Sequence, residues 1–298
     1  MREGKLRILI DGAQGFIGQN LVEFLLKDYN VMGVGHKEFD VSQKLRFPKN
    51  FRPDVVIHTA TYGVYPSQKD KEQAWKTNMD GIKNLLEACI SANVPLLINT
   101  GTCSEYGIRR DTNPLKETDA PVDLPDAYSI TKAEATKYCI AHANNPSTKI
   151  ITLRLFTPYG YHERQTRLIP YTILCALNHT KALLNNPNST RSHVFIEDVV
   201  SAYSKTVKYQ DKLKSGSIFN IGSAMQRSNS DVTSIVKSIN PEFEYEWNNR
   251  LDQRVPDKAT NWRSDITQAR KLLRWKPDHT LEEGIKKTYD WFKEKQAI

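Results

Sequence analysis

Three stretches of the chain place a lysine four residues after a tyrosine: Tyr65…Lys69, Tyr128…Lys132 and Tyr289…Lys293. On a helix such a pair shares one face, with Cβ atoms roughly 6 Å apart, so the ammonium favours ionisation of a phenol whose unperturbed pKa is about 10. A phenol tuned in that way can give or take a proton near neutral pH. Tyr65 sits among Pro, Ser and Gln, and Tyr289 lies in a charged terminal helix. Only Tyr128-Ser-Ile-Thr-Lys132 follows a buried strand, Val94 to Thr100, whose end carries another hydroxyl in Gly101-Thr102. That order, strand, hydroxyl, loop, Tyr-helix-Lys, suits hydride chemistry at a carbonyl: Thr102 orients the oxygen, Tyr128 handles the proton and Lys132 adjusts the phenol.

The N-terminus supplies a place for the hydride carrier. The apolar strand Leu6 to Ile10 runs into Gly12-Ala-Gln14-Gly15-Phe16-Ile17-Gly18 and then an amphipathic helix, Asn20 to Lys27. Glycines there let the backbone bend tightly and approach a dinucleotide pyrophosphate, which the positive end of the helix then stabilises. Strands expected at Arg7–Asp11, Asn30–Gly35, Asp54–His58, Pro95–Thr100 and Lys149–Leu155 alternate with helices, including one from Trp75 to Ala92 and one from Ala127. Alternation of this kind predicts an α/β fold with a doubly wound parallel sheet. Past about residue 155 the pattern loosens into helices at Leu168–Asn178, Glu197–Tyr209, Asn229–Ser238 and Leu281–Lys295, with a loop at Asn185–Ser192.

Together Gly12 to Gly18, His58-Thr59-Ala60, Asn78, Thr100-Gly-Thr-Cys-Ser-Glu-Tyr-Gly107, Tyr128…Lys132 and Leu153-Arg-Leu-Phe-Thr157-Pro-Tyr-Gly160 resemble the extended short-chain dehydrogenase/reductases. That family comprises the NAD(P)-dependent nucleotide-sugar epimerases, dehydratases and reductases. Further on, Arg191 to Val199, Phe219-Asn-Ile-Gly222 and Trp275-Lys-Pro277 resemble its later motifs, so the likeness spans nearly the whole chain. It implies a Rossmann-type domain over residues 1–156 that contributes the catalytic groups. A smaller substrate-binding lobe follows over 157–298, with some segments returning to the sheet.

Carried over position by position, the resemblance implies that Gly12, Gln14, Gly15, Phe16, Ile17, Gly18, Asp40, Val41, Thr59, Ala60, Thr61, Asn78, Thr100, Tyr128 and Lys132 meet the cofactor. Thr102, Cys103, Ser104, Tyr128, Thr157, Arg191 and Arg254 meet the substrate. The second strand ends in Gly35-His36-Lys37 where NAD-preferring relatives carry an acid, which predicts NADP(H), held by Lys37 and His36; NAD served by Glu38 is the alternative. Dehydrating relatives carry an acidic pair directly after the active-site Thr, and here those positions are Cys103 and Ser104. The stretch is closer to that of reductases of nucleoside-diphosphate-4-keto-6-deoxyhexoses, which sets the leading expectation, NADPH-dependent reduction of the 4-keto group. An NAD-dependent C4 epimerase is the alternative, and a noncatalytic cofactor-binding regulator a second. Three positions depart from the pattern: Asp11 before the first glycine, Thr157 in place of Asn, and Ser192-His193 after Arg191.

Composition fits these readings. The chain has 298 residues, enough for a full α/β core, and a net charge of +8 that suits anionic small molecules. Its basic residues are interleaved with acids instead of clustered, which argues against nucleic acid as a partner. Cys89, Cys103, Cys139 and Cys175 are scattered with no C-x-x-C, so neither a disulfide frame nor a zinc site is expected. With no apolar run of spanning length, no membrane association is expected and a cytoplasmic place is. Relatives commonly dimerise through the helix after Asn78 and the Tyr-Lys helix, so a homodimer is expected.

Overall fold

The computed structural model describes residues 4–248 and 261–296. Five strands of the N-terminal half are β1 (Arg7–Asp11), β2 (Asn30–Val34), β3 (Val55–His58), β4 (Leu96–Thr102) and β5 (Lys149–Leu155). They form one parallel sheet in the order Ile218–Ile221, β5, β4, β3, β1, β2. The edge strand Ile218–Ile221 comes from the C-terminal half and pairs with β5, Phe219 opposite Leu153.

Both faces of the sheet are covered, and the side-chain alternation of the strands shows it. Ile8, Ile10, Val55, Ile57, Leu96 and Ile98 bury on one face together with Leu21 and Leu25 of α1 (Phe16–Leu25) and Val199 and Tyr203 further along the chain. Leu9, Val56, Leu97 and Ile150 bury on the other. There they meet Ile82, Leu85 and Leu86 of the helix around Asn78, and Ala135 and Cys139 of the Tyr-Lys helix. A period of two with both faces apolar is what a parallel sheet between two helix layers requires.

That helix is longer and less regular than expected. It starts at Lys71 as α2 (Lys71–Ala74), passes through a π-helical turn at Trp75–Asp80 and continues as α3 (Gly81–Ser91). A widened turn re-aims the side chain within it, and here that side chain is Asn78. α4 (Ala127–Ala141) begins at a capping box in which Asp126 accepts from the Ser129 N–H at 2.8 Å and the Ser129 hydroxyl lies 3.2 Å from the Asp126 N–H. The cap sets Tyr128 in the first helical turn and Lys132 one turn later on the same face.

The later helices are α5 (Leu168–Leu177), α6 (Ile196–Tyr209), α7 (Asn229–Ile239) and α8 (Leu281–Gln296). α1 begins at Phe16, four residues before the apolar stripe suggested, because the third glycine packs inside the helix's first turn. The expected loop at 185–192 ends in a short strand, Thr190–Arg191, pairing antiparallel with Arg227–Ser228; two-residue ladders leave no periodic signal. Among the described residues no helix is long and apolar enough to cross a membrane.

Candidate active site

The chain reverses its winding between β1 and β3, leaving a crevice beyond their carboxyl ends where open α/β sheets take ligands. Gly12 turns there with φ +61°, and a Cβ on it would lie 2.7 Å from the Ala60 nitrogen. Gly18 abuts the Gly12 carbonyl so closely that any side chain would collide. No side chain caps α1 at Gly15, so its first N–H groups and the positive end of the helix face the crevice.

Asp11, which departs from the family pattern, closes this switch point from below. Its buried carboxylate accepts the Thr59 and Ala60 N–H groups at 2.7 and 2.8 Å and lies 2.7 Å from His58 Nδ1. A Thr or Ser at this position offers one hydroxyl and could not satisfy three donors.

One continuous cleft runs from the glycine turn to the C-terminal lobe. It is lined by Gly12, Gln14, Gly15, Phe16, Ile17, Gly18, His36, Asp40, Val41, Thr59, Ala60, Thr61 and Thr100 on the cofactor side. Thr102, Cys103, Ser104, Tyr128, Lys132, Thr157 and Arg191 line it beyond. Asn78 lies beneath: its side chain accepts from Tyr62 N–H at 2.9 Å and donates to the Tyr62 carbonyl and the Thr131 hydroxyl, each at 2.9 Å. The widened helical turn thereby ties the loop after β3 to α4, directly under Lys132.

Of the residues expected to distinguish the cofactors, His36 lines the cleft, and neither Lys37 nor Glu38 does. A Cβ on Gly35 would meet Glu38 Oε2 at 3.0 Å, so an acidic side chain folds back onto the end of β2. Sequence spacing misses this because it cannot show a turn bringing a residue three positions on against the strand end. Arg254 lies outside the described residues.

Thr102, Tyr128 and Lys132 all line this cleft. The Thr102 hydroxyl acts on the Tyr128 phenol, lowering its pKa, and Thr102 also caps the 3₁₀ turn Cys103–Tyr106. Beneath that turn Glu105, 1% exposed, accepts the Thr102 N–H at 2.8 Å and pairs with Arg154 Nη2 at 2.8 Å; the guanidinium lies 4.3 Å over the Tyr106 ring.

Burial pushes the Tyr128 phenol well above its ordinary range, opposed by the Thr102 hydroxyl. Burial instead lowers the Lys132 ammonium itself, against the pull of Glu105. Desolvation is the largest influence on each group, and it favours the neutral form of both.

Lys132 is 2% exposed and lines the cleft, so its amine is placed to meet acceptors on a bound group. Ribose hydroxyls are such acceptors. The glycine turn, the uncapped helix end and this ammonium all suit a nicotinamide dinucleotide.

At the substrate end, Thr157 adopts φ +26°, a conformation that Asn takes more readily than a β-branched residue. Burial pushes the Cys103 thiol up to about 11, partly offset by a hydrogen bond with the Thr157 backbone, so it is neutral. Glu163, Arg167, His193 and Trp262 also line the cleft and were not anticipated. They sit in irregular segments whose spacing says nothing of which way a side chain faces. Of the other two Tyr-Lys pairs, Tyr65 and Lys69 reach the cleft margin, but Tyr65 is in a loop with the Arg164 guanidinium 4.6 Å from its ring centre. The Tyr289 hydroxyl bonds Asn240 on α7.

This architecture recurs in known proteins. The chain is 26% identical to UDP-glucose 4-epimerase of Lactobacillus helveticus, over 97% of both chains. Among solved structures it resembles UDP-glucuronic acid 4-epimerase of Bacillus cereus, crystallised with UDP-4-deoxy-4-fluoro-glucuronic acid and NAD, at 26% identity with a TM-score of 0.83, covering 97% of this chain and 99% of that one. The fold also matches UDP-glucose 4-epimerase of Thermotoga maritima, TM-score 0.85 at 24% identity, over 98% and 100% of the two chains. The model of the NAD dependent epimerase/dehydratase family matches residues 8–222, from the first strand through the edge strand that closes the sheet, and the chain belongs to that family.

Proposed function

We propose that the protein is an NAD-dependent epimerase acting at C4 of a nucleoside-diphosphate hexose, with a UDP-sugar the first substrate to test. The observation that carries this reading is the meeting of Thr102, Tyr128 and Lys132 on a cleft that begins at the glycine turn. Cys103, buried and neutral, stands where a dehydratase needs an acid, which argues against loss of water between C4 and C6. The relatives named UDP-glucose 4-epimerase support the epimerase over the 4-keto reductase that the sequence put first.

Each group has a role. The glycine turn and the start of α1 would hold the pyrophosphate of a bound dinucleotide, and Lys132 would donate to its nicotinamide ribose. The chemistry NAD supplies when bound is reversible hydride acceptance. Thr102 and Tyr128 hold the C4 oxygen, and Tyr128 takes its proton and returns it. Arg191 clamps the substrate diphosphate by bidentate contact.

Incubation with UDP-glucose or UDP-galactose and no reductant is expected to interconvert the two, read by chromatography, with no net accumulation of NADH. Consumption of NADPH with a nucleotide-linked 4-keto sugar, and no interconversion, overturns the epimerase in favour of the reductase.

The cofactor preference has its own test. Glu38 at the end of β2 suits a ribose 2′-hydroxyl and repels a 2′-phosphate. A charge-assisted hydrogen bond contributes about 1.5–3 kcal/mol, so Glu38→Ala should weaken NAD by roughly 10- to 150-fold and leave NADP no weaker. Fluorescence titration with both dinucleotides checks it; equal loss for both removes Glu38 from the ribose site.

A further inference from the structure

Beyond the catalytic trio, the cleft holds a charged cluster with no evident partner for its function. His193 is 8% exposed, and neither ring nitrogen has a hydrogen-bond partner. Burial and the charges of Arg191, Arg167 and Arg227 push its pKa down to about 3, so three guanidinium groups converge around a neutral ring. Two of them are well engaged. Arg227 pairs with Glu282 at 2.6 Å and Asp231 at 3.6 Å, and Arg191 donates to the Ser189 hydroxyl and the Thr190 carbonyl while lying over Trp262.

Arg167 is held differently. It lines the cleft, and its Nε lies 3.6 Å from Glu163 Oε1, longer than the 2.7–2.9 Å typical of a tight guanidinium-carboxylate contact. Glu163, itself only 8% exposed, has one other partner among the described residues, the Gly160 N–H at a long 3.4 Å. A carboxylate so buried and so loosely held is costly, and burial pushes its pKa up to about 7, with Arg167 the chief opposing charge.

We infer that Glu163 is a displaceable counterion of Arg167: the diphosphate of the sugar nucleotide draws Arg167 away, and Glu163 takes up a proton as the substrate binds. The proposal rests on the reading that the cleft takes a nucleotide sugar, and it adds a proton to the binding step. A diphosphate offers Arg167 two charges in the bidentate geometry a guanidinium prefers, while Glu163 left without its cation cannot remain charged at that depth.

The surrounding groups leave Glu163 as the proton acceptor. On its own segment are Tyr159, whose phenol is raised well above its usual value by burial and neighbouring acids, Tyr161, whose hydroxyl bonds Glu197, His162, paired with Glu23 at 2.8 Å, and Arg164, engaged over Tyr65. Facing them are Arg191 and the neutral His193. Asp198 on α6 and Glu282 and Glu283 on α8 act on Tyr159 alongside Glu163. All three are already partnered, Asp198 by His279, Glu282 by Arg227 and Glu283 by the Thr280 turn. Glu163 itself is governed by its burial, by Arg167 and by the Gly160 N–H.

The sign follows. The complex prefers the protonated carboxyl, so affinity is greatest below the free protein's pKa and falls as pH rises through the higher pKa of the complex. The fall is about tenfold for each unit by which binding raises that pKa.

The test is calorimetric titration of the NAD-saturated protein with UDP-glucose, in buffers of differing ionisation enthalpy, across the neutral range. Its diphosphate is esterified at both ends and lacks the ionisation of a terminal phosphate near pH 6, so it contributes no proton of its own. Wild-type protein is expected to take up a proton, most strongly just above neutrality. Glu163→Gln should abolish the uptake and flatten the pH dependence; Arg167→Gln should weaken binding at least about tenfold and abolish the uptake too. Binding without proton uptake, uptake that survives Glu163→Gln in a protein with unchanged circular dichroism, or unchanged affinity in Arg167→Gln overturns the inference while leaving the epimerase reading intact. Failure of the wild-type protein to bind UDP-glucose overturns both.

Discussion

Tyr128→Phe is expected to lower kcat by at least about 10²-fold, the lower bound for a positioned acid-base group, with NAD affinity nearly unchanged. Phe keeps the ring and loses only the hydroxyl that meets Thr102, so the fold should survive and the loss should appear in turnover. Because burial holds the wild-type phenol protonated, the base form that starts C4 oxidation is scarce at neutral pH, and kcat/KM should rise with pH. The rise should vanish in the Phe protein. Near-normal turnover in that variant removes Tyr128 from the chemistry, and loss of activity in Tyr65→Phe or Tyr289→Phe with the fold intact points to another tetrad.

The second large effect is on stability. Glu105→Ala leaves Arg154 buried without its carboxylate and the Thr102 N–H without its acceptor, and should cost about 3–5 kcal/mol. Denaturant unfolding measures it. Replacing both Glu105 and Arg154 by Met should recover much of that loss, because the desolvation cost of the pair goes with it. Activity should recover less, since the turn that aims Thr102 still lacks its Glu105 contact. A cost below about 1 kcal/mol for Glu105→Ala would mean that water reaches Arg154 and the pair does not hold the turn.

Much of this protein is written in local sequence. The strand beginnings, the glycine turn and the order of Thr102, Tyr128 and Lys132 are short-range patterns, set by side-chain periodicity, φ freedom and spacing on one helix. Each is specified within a few residues, so each is legible without the fold.

Other features exist only because distant segments meet. Asp11 reads as an oddity until β3 brings the Thr59 and Ala60 N–H groups and His58 onto its carboxylate. Glu38 lies three positions past Gly35 along the chain, and only the turn there brings its carboxylate back against the glycine. The tuning of Tyr128 and Lys132 reverses because desolvation depends on everything packed around them, which spacing along a helix does not record. Glu163, Arg167 and His193 carry no periodic signal, and their chemistry appears only where the irregular segments after β5 fold over the cleft. Local patterns determined which groups could react; burial and long-range contacts decided their charge and their partners.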